Sequence, residues 1–151
     1  MKSASKKKTI TIILVSIVIL FILWNLVWFG FNYIKYNNFV GALPETSTGN
    51  HILVKDGYTY GVKTPDYLSF TGNLSISNSS KGELLIIWPL PFGGYQYGFR
   101  LQENGNVYEL NLDENMNLVG EQNESDLKAV TENKQTIQSL YNKAKAIWDL
   151  K

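Results

Sequence analysis

Cysteine is absent from this 151-residue chain. Its absence excludes disulfide staples, a thiol nucleophile, lipidation at a cysteine and any Cys-containing zinc cage. Histidine occurs once, at His51, so a His-based metal cluster cannot be assembled. No Gly-rich phosphate loop opens a helix after a strand, and no G-x-S-x-G elbow exists. No catalytic, metal or cofactor residue is expected. One acid–base pair remains conceivable, His51 with an acidic neighbour.

Charge is missing from one long stretch. Between Lys8 and Lys35 lie 26 residues without Asp, Glu, Lys or Arg. As a helix rising about 1.5 Å per residue, that run reaches roughly 39 Å. The hydrocarbon core of a bilayer is about 30 Å thick, so the segment can span it even when tilted. Thr9, Thr11 and Ser16 are tolerated because small hydroxyls bond back to the helix backbone. Lys2, Lys6, Lys7 and Lys8 precede the run, whereas only Lys35 follows closely. The positive-inside rule then holds the N-terminus in the cytoplasm. Trp24, Trp28, Phe29, Phe31, Tyr33 and Tyr36 crowd the distal end, where amphipathic rings favour the headgroups. Asn25 lies among them as a candidate for intramembrane packing, since a side-chain amide in lipid favours a partner.

A cleaved signal peptide is the main alternative, with Val40-Gly41-Ala42 as its cutting site. Its apolar region would run about 7–15 residues, and this one is nearly twice that. The expectation is an uncleaved anchor: residues 1–8 a basic cytoplasmic tail, 9–34 a transmembrane helix, 35–50 a stalk, and 51–151 an extracytoplasmic domain. The organisation places the protein in a cell membrane as a single-pass chain, with residues 9–34 in the lipid. Abundant Asn, Lys and Ile point to an AT-rich bacterial genome. Four of the fourteen basic residues lie in the tail, so ten face thirteen acidic ones beyond it, a net of −3. Such a domain attracts neither nucleic acid nor anionic lipid.

Beyond the stalk the pattern alternates with period two, punctuated by turns. His51–Lys55 and Tyr58–Val62 flank Asp56-Gly57, a pair suited to a type I′ turn. Leu68, Phe70, Leu74 and Ile76 alternate with polar residues as a strand with one wet face. Leu84–Trp88 is apolar throughout and reads as the central strand. Around Asn104-Gly105, a two-residue turn pairs Glu103 with Asn106, Leu101 with Tyr108, Phe99 with Leu110 and Tyr97 with Leu112. Arg100 then falls opposite Glu109. A helix follows over 124–150, with Glu124 and Asp126 in its first turn and one apolar stripe interrupted at Asn133-Lys134. The predicted fold is α+β: an N-terminal transmembrane helix, then an antiparallel β-meander of five to six strands packed against one C-terminal α-helix.

Three motifs invite functional readings. Leu43-Pro44-Glu45-Thr46-Ser47 resembles a sortase sorting signal, but it follows the apolar segment instead of preceding one, and it reads as stalk. Asp113–Glu124 resembles a calcium-binding EF-hand loop, but Leu118 occupies the position that requires Gly. Trp88-Pro89-Leu90-Pro91-Phe92-Gly93-Gly94-Tyr95-Gln96-Tyr97 reads as a wide hairpin loop whose prolines break the ladder and whose Trp88 and Phe92 cap the core. If its rings are exposed, Trp88, Leu90, Phe92 and Tyr95 form a docking patch. The expected function is a membrane-anchored extracytoplasmic binding or accessory protein, partnered by a membrane or envelope protein. The alternative is an envelope hydrolase using His51.

Overall fold

A computed structural model describes residues 2–46, 50–67, 69–78, 80–103, 105–120 and 123–150. Leu68 and Asn104, both invoked above, lie outside the described residues. Six strands follow one long helix, α1 (Lys2–Gly41), and two further helices close the chain. The strands are β1 (His51–Lys55), β2 (Tyr58–Lys63), β3 (Asn73–Asn78), β4 (Glu83–Pro89), β5 (Tyr95–Glu103) and β6 (Asn106–Leu112). They pair in sequence order, every neighbour antiparallel, as a meander.

Turn chemistry and side-chain alternation set the registers. Asp56 and Gly57 both adopt positive φ, 52° and 79°, and Lys55 pairs with Tyr58 across them, as a type I′ turn requires. The β5–β6 hairpin has the register read from its sequence, from Glu103 opposite Asn106 to Tyr97 opposite Leu112. Arg100 and Glu109 meet at 2.7 Å on the solvent side. The strand expected from Leu68 is shorter, because β3 begins only at Asn73. Residues 69–72 leave the sheet, and Phe70 packs on α1 instead.

One face of the sheet buries Tyr60, Val62, Leu74, Ile76, Leu85, Ile87, Tyr97, Phe99, Leu101, Leu110 and Leu112. Two helices cover it, α2 (Glu124–Glu132) and α3 (Lys134–Ile147). The single C-terminal helix of the sequence reading is thus two. The side-chain Nδ2 of Asn133 donates to the Ala129 carbonyl at 2.9 Å, closing α2 one residue before α3 begins. Asn123 caps α2 by accepting the Asp126 N–H at 2.8 Å.

The third cover is the end of α1. The helix does not stop at Ile34 but runs to Gly41, through residues expected to form a stalk. Tyr36, Phe39 and Leu43 are buried in the domain core, with Val40 packed against it. Asn37 and Asn38, polar residues within the expected stalk, occupy the exposed side of this last stretch. Packing outweighs their weak helix propensity. Trp148, just after α3, is 1% exposed and donates its indole N–H to the Phe39 carbonyl at 3.3 Å. Pro44 lies beyond the helix end, where the residue before a proline disfavours helical geometry.

Candidate functional site

The loops at one end of the sheet run back along α1. Gly72 donates its N–H to the Tyr36 hydroxyl at 2.8 Å, at the start of β3. A Cβ on Gly72 would lie 2.2 Å from the Lys63 carbonyl, so only glycine allows this approach. From there the β2–β3 loop descends the helix. The Phe70 ring meets Phe31 and Trp24 edge-on, at 5.1 and 5.4 Å. Trp28 donates to the Ser69 carbonyl at 2.7 Å, and Tyr67 donates to the Asn25 Oδ1 at 2.9 Å. Trp24, Trp28, Phe31, Lys35 and Phe39 recur at three- and four-residue spacing, so one stripe of α1 faces the domain. On the other side Leu26, Val27, Phe29, Tyr33 and Ile34 stay exposed.

Asn25, expected to seek a packing partner, is satisfied within its own chain. Its Nδ2 donates to the Phe21 carbonyl at 2.7 Å and its Oδ1 accepts from Tyr67. The unpaired amide is Asn32, one turn from Trp28. Both of its side-chain polar atoms are buried without a hydrogen-bond partner. They lie by a groove of about 280 Å³ between α1 and Thr64-Pro65.

The four residues expected to form a docking patch are dispersed. The ladder continues through Pro89, which pairs with Tyr95, so the loop is only Leu90–Gly94. Leu90 donates its N–H to Gly94 on the β5 side, so the nitrogen of Pro89 points toward β3. There β3–β4 pairing has already ended at Leu74–Ile87, and no ladder bond is lost. Trp88 lies on the open face, its ring so close over Gly98 that a Cβ there would meet it at 2.8 Å. Tyr95 is half-buried on the opposite side, 6.2 Å from Tyr97. Leu90 is partly buried, and its carbonyl accepts from the Lys35 ammonium. Phe92 alone stands fully exposed, at the turn's tip.

Among the described residues no helix covers the other face of the sheet, where Ile86, Trp88 and the Arg100–Glu109 pair border a shallow cleft of about 210 Å³. His51 lies on the edge strand β1, its backbone bridged to Glu45 and its Nδ1 buried without a partner. Asp113 accepts the N–H groups of Asn115 and Asn117 at 2.9 and 2.8 Å. These bonds, that of Asn117 foremost, hold its carboxyl below the usual range. It closes a tight turn around buried Met116. Among the described residues no three of His, Cys, Asp and Glu gather as metal ligands.

Sequence reasoning missed Tyr67, Ser69, Phe70 and Lys35 as the contacts between loop and helix. The available signal was an aromatic pair between Pro65 and Gly72, two residues that interrupt a strand. In comparisons with known proteins, no family model, no curated protein and no solved structure matches the chain.

Proposed function

We propose that this is a single-pass, membrane-anchored binding or accessory protein of the cell envelope. Its basic tail lies in the cytoplasm and its α+β domain outside, where it engages a membrane or envelope protein. One observation carries the reading: α1 passes unbroken from its uncharged run into the domain core at Tyr36 and Phe39. A domain fused to its anchor in this way stands at a fixed height and orientation at the bilayer. That geometry suits recognition of a neighbour in the same membrane better than capture of a distant ligand. The surface open to such a neighbour is the uncovered sheet face around Ile86, Trp88, Arg100 and Glu109.

Protease added to intact cells should remove the domain and spare the Lys-rich tail. A protected C-terminus would overturn the orientation, and mature protein beginning at Leu43 would mean secretion. Mild-detergent purification should retrieve a stoichiometric membrane or envelope protein, and Arg100→Ala should release it while costing the domain only the ~0.2–1 kcal/mol of an exposed ion pair. Retention of the partner by that variant would move the contact elsewhere. A hydrolytic activity lost in a folded His51→Ala variant would instead favour an enzyme built on that histidine.

A further inference from the structure

Resting on the anchored reading, we infer that the α1-facing end of the domain is itself a lipid-binding surface: the Phe92 turn seats in the headgroup–acyl boundary of the outer leaflet, beside the Tyr67 loop. Lys8 and Lys35 bracket the uncharged run, 27 residues and about 40 Å apart along the helix. A bilayer with its headgroups measures about 40–45 Å, so Lys35 falls at the outer headgroup level. The Lys35 ammonium holds the Leu90 carbonyl, which fixes the turn at that height.

The direction of the turn follows from its neighbour. The β2–β3 loop packs beside Tyr36 and reaches Asn25, about 16 Å down the helix within the uncharged run. The β4–β5 turn leaves the same end of the sheet, since the end of β4 pairs with the start of β3 through Ile87 and Leu74. Both loops therefore point toward the lipid. Phe92 is fully exposed and Tyr67 half exposed at this end, and the other side of α1 carries exposed Phe29 and Tyr33. A tight turn closed by the Leu90–Gly94 bonds, with positive φ at Gly93 and Gly94, presents the ring of Phe92 at little entropic cost. Its continuity with the span and its apolar tip fit an acyl boundary, where aromatic rings are favoured. Lys35, the charge that holds the turn, stays at headgroup height.

The absence of cysteine makes single-site labelling clean. Full-length protein carrying Phe92→Cys, Val107→Cys or Val18→Cys, each bearing an environment-sensitive fluorophore, would be placed singly in phosphatidylcholine nanodiscs. Phe92 and Val107 are exposed at opposite ends of the sheet and Val18 lies mid-run, so none of the changes removes a core contact. The probe at 92 should be blue-shifted and quenched by lipids spin-labelled at the headgroup or shallow acyl positions. The probe at 18 should be quenched only by deep labels, and the probe at 107 by neither. If 92 is as water-exposed as 107 while 18 is quenched, the docking is refuted and the anchor stands. If 18 is not quenched, the anchor itself fails. Burial of 92 only in discs holding two copies would assign the turn to self-contact and overturn the lipid assignment.

Discussion

At the scale of single residues, exposure follows the local pattern of the sequence. Phe92 and Phe99 are seven positions apart, the first in a Pro/Gly turn and fully exposed, the second in an alternating strand. Phe99 is 1% exposed between β4 and β6, opposite Leu85 and Leu110. Phe99→Ala should therefore lower unfolding free energy by about 3–5 kcal/mol, the range for deleting a buried aromatic. Gln102→Ala, on the exposed side of the same strand, should shift it by less than about 0.5 kcal/mol. Denaturant titration of both variants measures the difference, and equal costs would contradict the strand register. The register was legible because the Asn-Gly turn fixes it and the pairs on either side sort by type, apolar with apolar and Arg100 with Glu109. Phe70 was misread because its alternation with Ser69 and Thr71 mimics a strand. Only the three-dimensional proximity of Trp24 and Phe31 reveals that the ring belongs to the helix contact. Asn32 carries no sequence signal that distinguishes it from Asn25, since both are amides among aromatics.

Between elements, the contact of β5 with α3 carries a pH signature. Tyr97 lies edge-on to Tyr141 at 5.4 Å, with Tyr95 alongside. Burial, then the interaction with Tyr141, pushes the Tyr97 phenol well above its ordinary value, and burial raises Tyr95 as well. Below about pH 10 both folded and unfolded chains keep these protons, so stability is unaffected. Above it the unfolded chain releases them while the folded one retains them, so stability falls as pH rises. The expected observation is a loss of denaturant resistance that steepens above about pH 10, with Tyr97→Phe flattening the slope. An unchanged slope in Tyr97→Phe would show that Tyr97 does not carry this dependence. The helix break at Asn133 was visible as a gap in the apolar stripe, but a gap alone does not say whether a helix bends or ends. The Asn133 backbone decides it, leaving helical geometry at φ −101° and ψ 10°.

For the whole molecule, the decisive departure from the sequence reading is where the globular unit begins. Composition marks a boundary at Lys35, the first charge after the apolar run, and Asn37, Asn38 and Pro44 suggest a loose stalk. Packing sets a different one. Tyr36, Phe39 and Leu43 enter the same core as Ile137, Leu140 and Trp148, so the helix that carries the uncharged run is also a structural element of the domain. Burying a large apolar side chain contributes roughly 1.5–3 kcal/mol, so losing three of them removes about 5 kcal/mol or more. Domains of this size are stable by only about 5–15 kcal/mol in total. A fragment of residues 51–151 should thus be poorly folded, lacking a sharp melting transition and exposing the helical cover around Trp148. A fragment beginning at Lys35 restores those three side chains and the carbonyl that Trp148 bonds, and it should melt cooperatively. Circular dichroism melts of the two fragments compare them directly. Equal cooperativity would mean that the sheet and its two C-terminal helices suffice, and that α1 is only tethered to the domain.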